Sequence, residues 1–144
     1  MSWDIFVQDI PKEIKTIEDF QKYEDYKPNC IGKKSDIIKK IQEVVPEADF
    51  SDTAWGKIEG SDYSIEVNMG DDDDCYGFAL HVRGSDTAAF IVSEIISHLG
   101  LRAFDPGSDD GMFKIGQDSL TSFRKWKKYR DRVLSKNKKQ QGKN

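Results

Sequence analysis

This chain of 144 residues has few of the features that mark several large classes of protein. Its two cysteines, Cys30 and Cys75, lie far apart without the close spacing of a zinc or redox motif, so two free thiols are expected. No apolar run approaches the roughly 18 residues that a membrane span requires. The first residues, Met-Ser-Trp-Asp-Ile-Phe, do not read as a signal peptide. We therefore expect a cytoplasmic protein without a membrane segment.

Catalytic motifs are also lacking. The chain contains no GxSxG, HExxH, GxxxxGK[ST] or GxGxxG pattern, and it has only two histidines. We expect His81 to lie in a strand and to point away from the main core, because it alternates with Leu80 and Val82. His98 lies near a predicted helix C-terminus, where a partly charged imidazole is favoured in any case. The chain is therefore predicted not to be an enzyme and to need no cofactor.

Charge is unevenly distributed along the chain. The formal net charge is −4, from 22 Lys and Arg against 26 Asp and Glu. Residues 117–144 hold ten basic and two acidic side chains, whereas residues 1–116 hold 12 basic and 24 acidic ones. An acidic body thus precedes a basic C-terminal segment. Such a segment either contacts a partner or folds back on its own body.

Alternating apolar and polar residues predict four main strands and one short strand. They cover residues 3–10, 53–58, 63–69, 76–83 and 101–104. The second and third are joined by a turn that contains Gly60, which indicates a hairpin. We expect the first and last strands at or near the centre of the sheet.

Helical spacing of apolar residues predicts three helices. The first covers 35–45, with Ser35 as its N-cap and Pro46 after its end. The second covers 86–99, after a cap at Ser85 or Asp86 and before Gly100. The third covers 119–134 and is amphipathic and basic, with Leu120, Phe123, Trp126 and Val133 on its apolar stripe.

This order of elements, β-α-β-β-β-α-β, predicts an α+β fold with an antiparallel-rich sheet, helices on one face and an additional amphipathic basic C-terminal helix. Strands 76–83 and 101–104 should run parallel, because a helix connects them. The opposite face carries Phe6, Trp55 and Tyr76, and either the C-terminal helix or the connection over 12–33 could cover it. We predict a single domain over 1–134 and a disordered basic tail over 135–144, which contains no apolar side chain.

Four consecutive aspartates after Gly70 form the most conspicuous motif. A divalent cation would relieve their mutual repulsion, which makes Asp71, Asp73 and Asp74 candidate metal ligands. The spacing of an EF-hand is not met, because Cys75 stands where an oxygen ligand is required. We therefore favour a solvated loop that serves as an acidic contact surface. The predicted acidic surface consists of Asp71, Asp72, Asp73, Asp74, Asp105, Asp109 and Asp110.

Basic and aromatic residues alternate in the C-terminal helix, a mixture that can contact phosphates and stack on bases. The simpler interpretation is that the apolar stripe packs on the sheet while the basic side chains stay solvated. Both can hold at once. The candidate nucleic-acid contacts are Arg124, Lys125, Trp126, Lys127, Lys128, Arg130 and Arg132.

Several sequence blocks resemble a family of small uncharacterised bacterial proteins. They are the opening Met-Ser-Trp-Asp-Ile-Phe-Val-Gln-Asp-Ile-Pro, then Trp-Gly-Lys-Ile-Glu-Gly at 55–60, Ser-Ile-Glu-Val-Asn at 64–68 and His-Val-Arg-Gly at 81–84. The resemblance covers roughly residues 1–113 and leaves the basic C-terminus outside it. It implies a bacterial cytosolic protein and implies no particular chemistry.

Three hypotheses about function follow, in order of preference. The first is a non-enzymatic protein-binding domain whose acidic surface meets a basic protein partner, for example an immunity protein that blocks a nuclease toxin. The second is a nucleic-acid-associated protein that uses the C-terminal helix and tail. The third is a metal-dependent hydrolase that uses the aspartate clusters.

Overall fold

The structure of this chain is a computed structural model that describes residues 2–141, apart from the side chains of Gln117 and of residues 136–141. Seven strands and four helices follow one another in this part of the chain. They are β1 (Trp3–Gln8), α1 (Ile17–Gln21), β2 (Gly32–Lys33), α2 (Lys34–Val44), β3 (Trp55–Glu59), β4 (Tyr63–Asn68), β5 (Asp74–Cys75), β6 (Phe78–Gly84), α3 (Asp86–Leu99), β7 (Arg102–Phe104) and α4 (Gln117–Gln141).

The main sheet has five strands in the order β3-β4-β6-β1-β7, and every neighbouring pair is antiparallel. The predicted α+β fold is therefore confirmed. Strands β6 and β7 are both antiparallel to β1, so they run parallel to each other as predicted. The N-terminal strand lies between them. Strand β7 comes last in the strand order and pairs with β1 alone. It is therefore an edge strand, and the expectation that it lies near the sheet centre is wrong.

Helices α2, α3 and α4 share one face of the sheet, where they cover the main core. Along β1, Trp3, Ile5 and Val7 point to this face and are buried, and α3 contacts both α2 and α4. Phe123 of α4 stacks on Trp3 with ring centroids 5.0 Å apart. The C-terminal helix therefore packs beside the earlier helices, and the suggestion that it covers the opposite face is wrong.

The connection between β1 and β2 covers part of that opposite face. Ile14 and Phe104 belong to a small second core at the β7 end, and Phe20 of α1 packs against it. The guanidinium of Arg102 donates two hydrogen bonds to the connection, both 2.7 Å, one to the carbonyl oxygen of Pro11 and one to that of Ile14. The alternative of cover by residues 12–33 thus holds for the β7 end only.

Both edges of the main sheet are partly capped. Outside β3, the amide and carbonyl groups of Asp49 exchange two hydrogen bonds with those of Lys57, at 2.8 and 2.9 Å. Outside β7, Phe113 donates to the carbonyl oxygen of Ala103 at 3.0 Å, next to a bridge between Phe104 and Met112. Capped edges offer few free backbone groups to a further strand.

The helix ends differ slightly from the prediction. The N-cap of α2 is Lys33 and not Ser35, because the short strand β2 leads directly into the helix. Ser85 is the N-cap of α3, and Gly100 ends that helix in the left-handed conformation at φ 65°. Helix α4 continues to Gln141, beyond the predicted end at 134. The division into a domain over 1–134 and a tail over 135–144 stays a prediction, and residues 142–144 lie outside the described residues.

The described residues contain no helix long and apolar enough to cross a membrane.

Candidate functional site

The basic side chains on one side of α4 are paired with the body of the protein. Asp86, in the first turn of α3, accepts from Lys127 at 2.8 Å and from the guanidinium of Arg124 at 3.1 Å. These hydrogen bonds, the one from Lys127 foremost, hold the pKa of Asp86 below its usual value. Lys125 lies 3.5 Å from a carboxylate oxygen of Asp109. Three of the candidate nucleic-acid contacts therefore meet carboxylates outside α4, and a fourth, Arg130, lies 3.1 Å from Asp131 of the same helix.

Two aromatic residues of α4, Phe123 and Trp126, already pack against other side chains of the chain. Phe123 is fully buried, since it stacks on Trp3 and also on Trp126, whose ring centroid lies 5.9 Å away. The guanidinium of Arg130 lies 5.4 Å from the centroid of the Trp126 ring. Trp126 is thus half-buried between helix neighbours and is a poor platform for a base. Tyr129, by contrast, is 57% exposed.

The acidic loop, which we define as residues 71–74, is exposed but well anchored. Its end forms β5, which pairs with β2, and Lys33 binds Asp74 at 2.7 Å. The backbone amide of Lys34 donates to the carbonyl oxygen of Asp73 at 2.7 Å, and the Lys34 ammonium group donates to that of Gly70 at 3.1 Å. Hydrogen bonds from Lys33 and Lys34 therefore hold the loop at both ends.

The other three carboxylates of the acidic loop, those of Asp71, Asp72 and Asp73, form no ion pair with any described residue. Within residues 2–141, no three His, Cys, Asp or Glu side chains are grouped so as to hold a metal ion. The candidate metal ligands of the sequence thus form a solvated acidic surface in this structure.

The second acidic cluster does not form the predicted surface, because Asp105 is only 1% exposed. Its Oδ1 atom accepts hydrogen bonds from the indole of Trp3 and from the amide of Gly107, both at 3.0 Å, whereas its Oδ2 atom is buried without a partner. Burial raises the pKa of Asp105 above its usual value. The prediction that Asp105 is a surface contact is wrong, because the residue serves to hold Trp3. Asp109 stays exposed, and Asp110 pairs with Lys114.

The two acidic clusters lie on different strands of the main sheet, with β1 between β6 and β7. Asp105 follows β7, whose last residue, Phe104, is level with Phe6 of β1 and Ala79 near the start of β6, so the expectation that the clusters occupy opposite ends of the sheet is wrong. Asp105 is buried whereas residues 71–74 are exposed, which disfavours a metal site shared between the clusters.

The sheet face opposite the helices is partly uncovered, and this feature was missed from the sequence. His81 points to it, as predicted, and its Nδ1 atom lies 2.7 Å from a carboxylate oxygen of Asp4. The indole of Trp55 stacks on the imidazole, with centroids 5.6 Å apart. Phe6, two residues after Asp4 on the same face, is 39% exposed.

A groove lies at the end of this open face, where β1 and β4 end and β6 begins. Its volume is about 380 Å³, and its apolar lining includes Phe6, Tyr76 and Pro28. Tyr76 is 51% exposed. Gly70, which immediately precedes the acidic loop, also lines the groove, so apolar and acidic surfaces adjoin. Only a three-dimensional arrangement brings these segments together, since they come from four separate parts of the chain.

The chain matches no protein-family model, no curated protein and no solved structure. Three surfaces of the molecule are candidates for a function: the acidic loop, the adjoining groove and the exposed side of α4.

Proposed function

We propose that this chain is a non-enzymatic protein-binding domain that recognises a basic protein through its acidic loop. The observation that supports the proposal is the contrast between its two charged surfaces. Asp71, Asp72 and Asp73 are exposed and meet no cation among the described residues, whereas Arg124 and Lys127 of α4 are already bound to Asp86. The loop thus offers an external partner three adjacent carboxylates that are unpaired among the described residues.

Charge complementarity of this kind acts mainly on association and specificity. A fixed cluster of carboxylates accelerates encounter with a basic partner and repels acidic ones. Because β2 and β5 anchor the loop, little ordering is required on binding, which reduces the entropic cost of association. An immunity protein that blocks a basic nuclease toxin would use such a surface.

A nucleic-acid role for α4 is the second candidate. Its support is the exposure of Lys128, Tyr129 and Arg132. The two basic side chains among them form no ion pair with described residues. Against it stand the buried Phe123 and the half-buried Trp126, which leave a single exposed aromatic residue on the described part of the helix. We therefore place this function behind protein binding.

The proposal is tested by affinity purification from producing cells with three versions of the chain as bait. One is the native sequence, and one carries Asp71→Asn, Asp72→Asn and Asp73→Asn. The matched control carries Glu47→Gln, Glu59→Gln and Glu94→Gln, which changes the net charge equally at exposed positions outside the loop.

Mass spectrometry then quantifies the proteins that each bait retains. We expect basic proteins to be enriched on the native bait and the control and to be lost from the loop variant. If all three baits retain the same proteins in the same amounts, the acidic loop is not the recognition surface.

A further inference from the structure

We propose that the groove beside the acidic loop receives an apolar side chain of the basic partner. The recognised element is then a segment rich in lysine or arginine that carries one apolar anchor residue. This inference rests on the proposed function, because the acidic loop supplies its charge. It adds a second contact, of a different physical kind, to the same surface.

The two exposed aromatic residues of the groove are the first argument. Phe6 and Tyr76 are 39% and 51% exposed, and Phe6 projects from β1, a strand with neighbours on both sides. Aromatic side chains on a rigid support bury large areas on binding at little cost in conformational freedom, and they are frequent at the energetic centres of protein interfaces. An apolar side chain placed between them would remove their exposed surface from water.

Charge complementarity decides the nature of the occupant. Gly70 and Tyr76, which flank residues 71–75, both line the groove, so the acidic loop adjoins it. The two lysines that bind the acidic loop and Gly70 are already engaged, Lys33 with Asp74 and Lys34 with the carbonyl oxygen of Gly70. An anchor flanked by basic residues would satisfy the groove and the rim together, whereas an acidic segment would be repelled.

The shape of the groove favours a side chain over a small molecule or an added strand. Its volume of about 380 Å³ falls within the range of ligand pockets, roughly 300–1,000 Å³, but none of its lining residues is charged so as to orient a small charged ligand. Asp49 outside β3 and Met112 outside β7 already occupy the edges of the main sheet, so β-strand addition is disfavoured there. The partner segment therefore lies across the open face and inserts a side chain.

The test uses two synthetic lysine-rich peptides of equal charge that differ only at the central residue, which is leucine in one and serine in the other. Their affinities are measured by fluorescence anisotropy at low salt. We expect the leucine peptide to bind roughly 10- to 100-fold more tightly, since its side chain is buried in the groove. The triple loop variant described above should weaken both peptides alike.

Three variants locate the apolar contact. Phe6→Ala should abolish the preference for leucine, and Ala79→Phe should do the same by filling the groove without removing any side chain. Phe90→Ala is the matched control, because Phe90 is 44% exposed on α3 and lies outside the groove. It should leave the preference unchanged.

The outcomes separate the two proposals. Equal affinity for both peptides, with binding still dependent on the acidic loop, would overturn the groove as an anchor site and leave the proposed function standing. A leucine preference that survives both Phe6→Ala and Ala79→Phe would also overturn the groove. If neither peptide binds with a Kd below about 1 mM, both proposals are overturned.

Discussion

Replacement of Phe123 by alanine should strongly destabilise the fold, because this side chain attaches α4 to the sheet. It is fully buried, and it stacks on Trp3 of β1 and on Trp126. Removal of a buried phenylalanine typically costs about 3–5 kcal/mol through lost burial and the cavity left behind. That amounts to a large fraction of the roughly 5–15 kcal/mol by which small domains are stable.

The remaining contacts of α4 cannot compensate for this loss. The ion pairs of Arg124 and Lys127 with Asp86 lie at the surface, where each contributes about 0–1 kcal/mol. Loss of Phe123 would also leave part of Trp3 uncovered, and Trp3 is among the largest fully buried side chains. We therefore expect the cost to fall within the full range for a buried aromatic residue.

Urea denaturation followed by tryptophan fluorescence measures this free energy of unfolding. Tyr129→Ala on the same helix is the control, since Tyr129 is 57% exposed and should change stability by no more than about 0.5 kcal/mol. If Phe123→Ala falls within the same limit as this control, α4 does not pack on the sheet and the pairing of its basic residues with the body is refuted.

Three further predictions concern titration, metal and the C-terminus. Burial raises the pKa of Asp105 in the folded chain above the unfolded value of about 3.9. The free energy of unfolding should therefore fall as the pH rises through the raised pKa. Urea titrations at several pH values should show that Asp105→Asn flattens this fall. Calorimetric titration with Ca²⁺ or Mg²⁺ should show no binding tighter than millimolar, and a micromolar site lost in Asp73→Asn would contradict the solvated-loop interpretation. Deletion of residues 135–144 should change stability by no more than about 0.5 kcal/mol. Gel shifts in a salt series should show no nucleic-acid binding with or without these residues; a salt slope that shrinks by about 0.9 per lost phosphate contact would favour the second function.

The local pattern of the sequence was sufficient for most of the secondary structure. Alternation along β1, β4 and β6 identified the strands and the face that each side chain occupies, including that of His81. Gly100 marked the end of α3, where a left-handed residue is required. These features depend on neighbours within a few residues, so they can be read directly from the chain.

The fate of individual charged residues could not be predicted in the same way. Asp105 and Asp109 lie in one short loop of similar composition, yet the first is buried under Trp3 and the second is exposed. The difference arises because β1 inserts between β6 and β7, which brings the indole of Trp3 to the end of β7. Such a contact spans 102 residues of sequence, and no local pattern encodes it.

By itself, the sequence determined the α+β class, the strand and helix periods, and the excess of negative charge in residues 1–116, because these follow from composition and short-range spacing. Only the tertiary structure decided which charges remain available. It paired the basic side of α4 with Asp86, buried Asp105, and placed Phe6 and Tyr76 beside the acidic loop. The physical reason is that strand order and helix packing depend on contacts between distant segments, which bring together residues that are separate in sequence.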